Sequence, residues 1–374
     1  MSFHRKSGYL FILLTFSLLV SCKEDKNPNQ ETENTDLLNY RSSVLLYPSN
    51  QTVTLGDSLP FEIQLTDSSA QIDSMHVLVD ELNSNFTTSK SGDQSQGRIY
   101  FSVSGSNLKI GSHTLQLKVR IKGKDWEQSS QTFFVSSDIK PEVLTYQVVQ
   151  TYPHSNTSFT QGLEWFGNRL YEGTGLNGKS TVMEIVPKTG SALQRVALDQ
   201  TVFGEGITVV NNQLYQISWK NQQGFVYDLP SLKKVKTFSY PTDGWGLTHW
   251  QNQLVMTDGG NKLYFLDPLS FKTLGSVEVW DDKNAIDQLN ELETVGDAIY
   301  ANKYTTDTIV KIDPKTGKVL AYIDLKGLLK ESDKTGEEDV LNGIAWNADE
   351  KLFYLTGKNW PKMFAVRFVS KKNL

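Results

Sequence analysis

The chain is expected to be all-β, with a C-terminal five-bladed β-propeller preceded by an immunoglobulin-like β-sandwich. Three observations carry this expectation. One unit recurs five times in the C-terminal two-thirds: a short apolar strand with Gly or Glu near its start, a polar turn, then a strand opening on Leu-Tyr or a similar pair. Its anchors Leu170-Tyr171, Leu214-Tyr215, Leu254-Val255, Ile299-Tyr300 and Leu352-Phe353 lie 44, 40, 45 and 53 residues apart, and propeller blades repeat every ~40–50 residues. Ahead of these units, short alternating runs bounded by Asn, Gly, Ser and Asp turns suggest a two-sheet sandwich.

Within each unit the strands follow in order. Third strands are expected at Val182–Val186, Gly224–Tyr227, Lys262–Phe265 and Ile309–Ile312, several ending in a Pro turn such as Asp313-Pro314-Lys315-Thr316-Gly317. Fourth strands such as Ala192–Leu198 and Val319–Leu325 close the units. The fifth unit ends soon after Met363–Phe368 without a fourth strand. The strand-like segment Val143–Thr151 is expected to supply it, which would close the ring and remove two exposed sheet edges.

Residues 1–22 read as a leader. His4, Arg5 and Lys6 are followed by the apolar run Tyr9–Val20, 12 residues long and too short to span a bilayer comfortably. Leu19-Val20-Ser21-Cys22 resembles a bacterial lipobox, with Cys22 as the lipidated residue, and Lys23-Glu24-Asp25 resembles the acidic export tag of some Gram-negative surface lipoproteins. Cys22 is the only cysteine in the sequence, so no disulfide within the chain is expected. Residues 23–39, rich in Asn, Glu, Asp and Lys, read as a disordered tether. The expected location is the cell envelope, lipid-anchored on the periplasmic side or the outer-membrane surface. Residues 40–138 form the sandwich, with strands at Phe61–Leu65, Met75–Val79, Gly97–Val103, His113–Ile121 and Thr132–Val135. His76 and His113 stand alone there and are expected to pack rather than to ligate. The boundary falls near Ser136–Pro141, and the propeller occupies 142–370. A net charge of −5 argues against a nucleic-acid partner, and a monomer is expected.

Stacking the repeats gathers a site. The residues aligned near the starts of the first strands are Gln161, Glu205, Trp245, Asn290 and Asn342, none of them aliphatic. The second strands end at Gly175, Trp219, Gly259, Tyr304 and Gly357, with Lys358 one further on. First strands start, and second strands end, at the same face of a propeller. One acid, one lysine, three amides and aromatic walls thus converge on one funnel, the usual form of a small-molecule site. His154 and His249 are far apart in this alignment, and no spacing of His and carboxylates resembles a zinc site.

Six motifs occur in order: Phe159-Thr160-Gln161-Gly162-Leu163, Phe203-Gly204-Glu205-Gly206-Ile207-Thr208, Gly244-Trp245-Gly246-Leu247, Leu289-Asn290-Glu291-Leu292-Glu293, Leu341-Asn342-Gly343-Ile344-Ala345-Trp346 and Thr356-Gly357-Lys358-Asn359-Trp360-Pro361. From about Tyr146 to Phe368 the chain resembles the glutaminyl-peptide cyclotransferases of the plant-latex and bacterial type. Tyr304 departs from the family pattern, standing where a tryptophan is expected. The resemblance implies a five-bladed propeller that turns the N-terminal glutamine of peptides into pyroglutamate and releases ammonia, with no cofactor and no metal. It implies Glu205 as the proton carrier, with Asn290 and Lys358 beside it in catalysis, and Phe159, Gln161, Trp219, Trp245, Tyr304 and Asn342 around the substrate. Glu291 sits in the same motifs without an assigned role.

Two other readings stay open at this level. Glu205 is alternatively a channel carboxylate paired with Lys358, in a propeller that captures peptides or sugars without chemistry. The chain is alternatively a structural envelope protein with the sandwich as its partner site. The combination of Glu205, Asn290 and Lys358 favours the enzyme, because stacking aromatics alone would suffice to hold a sugar.

Overall fold

The computed structural model describes residues 43–83, 86–89 and 97–371. The leader, Cys22 and the tether lie outside the described residues. Among the described residues the regular elements are strands, apart from one 3-10 turn at Glu331–Asp333.

The N-terminal strands make two sheets. One orders Val44–Tyr47, Ser58–Leu65, Arg98–Ser104 and Phe86–Ser89; the other orders Thr52–Thr54, Trp126–Ser136, Gly111–Ile121, Ile72–Val79 and Leu82–Asn83. Alternation decides which face is buried, since successive side chains of a strand point to opposite sides. Leu59, Phe61, Ile63 and Leu65 from one sheet meet Leu115, Leu117, Val119 and Ile121 from the other in a single core. Phe61 stacks on Phe101 there, with ring centroids 5.4 Å apart. His113 is a packing residue, as expected. Its Nδ1 meets Asp80 at 2.6 Å, its Nε2 meets the carbonyl of Lys109 at 2.8 Å, and its ring stacks on Phe133.

Five four-stranded layers follow. Blade 1 is Thr160–Phe166, Arg169–Thr174, Thr181–Val186 and Ser191–Ala197. Blade 2 is Gly204–Val210, Gln213–Ser218, Gln223–Asp228 and Lys233–Ser239. Blade 3 is Leu247–Trp250, Gln253–Met256, Lys262–Leu266 and Thr273–Glu278. Blade 4 is Leu289–Val295, Ala298–Lys303, Thr308–Ile312 and Val319–Asp324. Blade 5 takes Leu341–Asn347, Leu352–Gly357 and Lys362–Ser370 from the end of the chain and Glu142–Pro153 from before blade 1.

That fourth strand closes the ring as the sequence led us to expect. It pairs antiparallel with Lys362–Ser370, from Leu144↔Ser370 to Pro153↔Lys362. It also does something unexpected. Its first residues, Glu142, Val143 and Leu144, pair parallel with Ala321, Tyr322 and Ile323 of blade 4, so blades 4 and 5 share one eight-stranded sheet. One strand thereby satisfies backbone groups on the outer edges of two blades.

The sandwich and the propeller meet through Glu278 on the outer strand of blade 3. Its Oε2 accepts from the Ser112 N–H at 3.1 Å and from the Trp280 indole N–H at 3.0 Å. Trp280 packs on Phe134, 5.5 Å between centroids, and the Ser137 N–H donates to the Asp281 carbonyl.

Candidate active site

The inner strands of four blades carry the same irregularity near their starts. Pairing skips between Thr160 and Gly162, Gly204 and Ile207, Leu289 and Leu292, and Leu341 and Ile344. Each skip is a β-bulge, which inserts an extra residue, bends the strand and re-aims a side chain. The bulged positions hold Gln161, Glu205, Asn290 and Asn342. Blade 3 holds Trp245 at the matching point, with its N–H donating to the Thr257 carbonyl. Glycine next to the ring residue lets neighbouring blades touch: a Cβ on Gly246 would collide with the carbonyl of Asn290. Gly259, at φ +85°, leaves room for the Trp245 ring.

These elements enclose a cavity of about 240 Å3 lined by Phe159, Gln161, Phe203, Glu205, Trp219, Trp245, Asn290, Tyr304 and Lys358. Eight of the nine site residues inferred from sequence line it. Asn342, the ninth, does not. It is fully buried one layer behind Gln161, to which its Nδ2 donates at 3.0 Å. Sequence reasoning left Phe203 out of the site. The signal was available, since Phe159 and Phe203 each stand two residues before a ring residue, Gln161 and Glu205.

The walls are aromatic and interlocked. Phe203 meets Phe159 edge-on at 6.1 Å and Trp219 at 5.6 Å, while Trp245 meets Tyr304 edge-on at 5.3 Å. Trp219 is the rim, 37% exposed, with the Lys220 ammonium 4.9 Å above its ring. Tyr304 thus serves as a wall where a tryptophan was expected. Such contacts add about 0.5–1.5 kcal/mol per pair beyond burial, which holds the funnel open in a fixed shape.

The floor is polar. Glu205 is buried, and its Oε1 accepts from the Gln161 Nε2 at 3.0 Å. Burial pushes the Glu205 carboxyl well above the usual carboxylate range, against the pull of the Lys358 charge. Lys358 is buried as well. Burial lowers its ammonium, and the charges of Glu205 and Asp339 oppose that. Among the described residues no ion pair within 4.0 Å joins Lys358 to Glu205. The ammonium instead lies 4.8 Å from the Phe159 ring and 5.0 Å from the Tyr304 ring, a cation–π seat that keeps a desolvated charge in place. Its backbone is fixed by the Val340 carbonyl, which accepts from the Lys358 N–H, and by the Asp339 N–H, which donates to the Lys358 carbonyl. Asn290 Oδ1 is buried and takes no hydrogen bond among the described residues. An unpaired buried acceptor costs about 1–3 kcal/mol, and Asn290, unlike the other unpaired amides Asn302 and Asn342, lines the cavity, where a donor on a ligand can reach it.

The cavity therefore offers a buried carboxyl, a lysine ammonium, an unpaired acceptor and aromatic walls. Neither His154 nor His249 lines it. His154 is held between the Trp360 carbonyl and Glu172, whose Oε1 also accepts from the Thr160 hydroxyl. Among the described residues no group of three or more His, Cys, Asp and Glu side chains could hold a metal ion.

The fold and the site are those of a β-propeller with a buried carboxyl at the foot of an aromatic funnel. The glutamine cyclotransferase family model matches residues 120–368, and the chain belongs to that family. The match starts upstream of Tyr146, where the sequence motifs place the resemblance, and takes in the strand Trp126–Ser136 of the sandwich. The chain is 39% identical over 246 residues to a glutaminyl-peptide cyclotransferase of Arabidopsis thaliana, covering 65% of this chain and 76% of that protein. Among solved structures, it resembles the glutaminyl cyclase of Myxococcus xanthus with a TM-score of 0.59 and 31% identity, over 62% of this chain and 99% of that one.

Proposed function

We propose that this protein converts the N-terminal glutamine of peptides and proteins into pyroglutamate and releases ammonia. The observation that carries the reading is the division of labour on Glu205: one carboxylate oxygen is held by Gln161, and the other, Oε2, takes no hydrogen bond among the described residues at the floor of a cavity sized for one side chain. At about 240 Å3 the cavity is smaller than the ~300–1,000 Å3 typical of drug-sized ligand sites.

The reaction is intramolecular. The α-amine nitrogen forms a bond to the side-chain amide carbon, and the bond from that carbon to the amide nitrogen breaks. Folding the glutamine back on its own amine between Trp219, Trp245 and Tyr304 supplies the proximity, worth ~7–11 kcal/mol in well-oriented cases. Glu205 accepts the proton shed by the amine and returns it to the departing nitrogen, which leaves as ammonia. A carboxyl whose pKa burial raises suits both transfers, since an α-amine with a pKa of roughly 7.7–8.0 gives up its proton with mild assistance. Lys358 faces the oxygen that becomes negative in the tetrahedral intermediate. Asn290 Oδ1 accepts from the substrate's amine and holds it toward the amide carbon. These steps need no cofactor.

Leader and Cys22 chemistry support a lipid-anchored envelope protein whose cavity meets peptides outside the cytoplasm. The direct test of the activity is chromatography of a Gln-initiated dipeptide after incubation with the purified protein. A pyroglutamyl product with equimolar ammonia is expected, and an Asn-initiated dipeptide should stay unchanged. Dipeptide binding without product would instead favour capture without chemistry.

A further inference from the structure

The residue that fell outside the cavity carries the further inference, which rests on the cyclotransferase reading. Asn342 is fully buried, and its Nδ2 donates twice: to the Thr160 carbonyl at 3.0 Å and to Gln161 Oε1 at 3.0 Å. The other end of the same amide, Oδ1, is buried and takes no bond among the described residues. The orientation of this amide is forced. A backbone carbonyl can only accept, so the Asn342 atom facing Thr160 is nitrogen. Its second N–H then faces Gln161, so the Gln161 atom there is the oxygen. The remaining end of Gln161 is its NH2 group, and that end faces Glu205 Oε1 at 3.0 Å. Turning Asn342 over would set two acceptors against its carbonyl. A backbone carbonyl thereby dictates, through two amides, which group Glu205 meets.

The consequence falls on the proton. With Oε1 engaged by a donor, a proton on Glu205 resides on Oε2, the oxygen without a protein partner. We propose that Asn342 is a positioning residue: by locking the Gln161 amide it confines the transferable proton of Glu205 to Oε2, the oxygen offered to substrate, and favours the ionised form that must accept the proton first. Gln161 correspondingly acts toward Glu205 as a donor, with its own oxygen already taken.

The charged and titratable groups that face Glu205 are few. Lys358 lies across the cavity, and Tyr304 lines the same cavity from blade 4. Tyr240, from the segment after blade 2, feels the Glu205 charge. The inner strand of blade 1 contributes Gln161, and blade 3 contributes Trp245. Glu164 and His249 meet the same strand three residues further on, at Thr208.

The test is the pH dependence of kcat/KM for a Gln-initiated dipeptide in wild-type protein, Asn342→Asp and Asn342→Ala. An Asp at 342 accepts where Asn donated, so Gln161 turns over and presents its oxygen to Glu205, which disfavours the charged form. The acid limb is expected to move up by about one pH unit in Asn342→Asp, roughly a tenfold loss of ionised Glu205 at fixed pH, and in the same direction but less in Asn342→Ala. An acid limb that stays at its wild-type position in both folded variants, whatever happens to kcat, overturns the proposal. Should neither variant fold, side-chain amide NMR of the wild-type protein decides. The Asn342 NH2 protons should exchange slowly, and one Gln161 NH proton should follow the Glu205 titration; fast exchange at Asn342 or a Gln161 signal that ignores pH overturns it. A wild-type protein that makes no pyroglutamate would instead refute the cyclotransferase reading, a result separable from either of these.

Discussion

The two ends of the propeller channel both bury carboxylates, and the two sets sit in different company. At the end where the inner strands start, Glu205 has one oxygen bonded by Gln161 and one free, with a cation across the cavity. Toward the other end stand Glu164, Glu291 and Glu293. Glu291 Oε1 accepts from the Leu163 N–H at 3.0 Å and Oε2 from the Ile344 N–H at 2.9 Å, so this blade 4 carboxylate braces blades 1 and 5 across the channel. Glu293 accepts from the Trp346 N–H, and Glu164 from the Thr208 hydroxyl. Burial raises all of them: Glu164 to about 8, and Glu291 and Glu293 well above the usual range, with Glu164's charge adding to both. That end also opens on a cavity of about 630 Å3, larger than the site, beside Glu164, His249 and Glu293. A raised pKa and a large cavity therefore do not distinguish the end proposed to react. What does is the set gathered around Glu205: the Lys358 cation, the unpaired Asn290 Oδ1 and the aromatic walls line one cavity with it, and no lysine or arginine lines the cavity beside Glu164 and Glu293.

The comparison can be broken by exchanging acids for amides at each end. Glu205→Gln should lower kcat/KM by about 10²–10⁴, the usual worth of general acid–base catalysis, while leaving thermal stability unchanged or higher because a buried acid is gone. Glu291→Gln should do the reverse. One amide oxygen cannot serve both N–H groups, so it should cost about 1–3 kcal/mol of stability by denaturant titration and change kcat/KM by only a few-fold. Equal activity losses in the two variants would dissolve the distinction.

Lys358→Met sharpens it. Loss of the charge proposed to face the oxyanion should cost about 10²–10³ in kcat. Because Lys358 holds the Glu205 pKa down, the acid limb of the pH profile should also rise. A smaller effect belongs to Glu164. Its pKa is raised from 4.5 to about 8 in the fold, so the folded state binds its proton more tightly than the unfolded chain. Stability is therefore full below pH ~4.5 and is lost as pH rises through about 8. Glu164→Gln should raise the melting temperature at pH 9 and leave it little changed at pH 5, checked by calorimetry at both. Smallest is Trp219→Ala on the rim, expected to raise KM by about tenfold or less, from ~1 kcal/mol of lost methylene cover, with kcat changed little.

Much of this was legible in the sequence, for physical reasons. The blades were readable because each must present the same apolar strand to its neighbours, which imprints a period on residues such as Leu170, Leu214 and Leu254. The ring closure was readable because blade 5 lacked a strand and Val143–Thr151 lacked a blade. The cavity residues were readable because bulges recur in register, so stacking the repeats also stacks Gln161, Glu205 and Asn290. Register alone does not report depth, and for that reason Asn342 was placed in the cavity although it supports Gln161 from behind. Nor does it report which amide end faces which partner; the Thr160 carbonyl decides that. The role of Glu291 was hidden because its partners, the N–H groups of Leu163 and Ile344, are backbone atoms on blades distant in sequence.

The measurement that bears most directly on the central claim is turnover of a Gln-initiated dipeptide by wild-type protein and Glu205→Gln, side by side and with a chelator present. The account predicts wild-type turnover that survives the chelator and nearly vanishes in the variant while dipeptide binding persists. Turnover in Glu205→Gln matching wild type would show that the proton travels by another group, and would reduce Glu205 to part of the cavity wall.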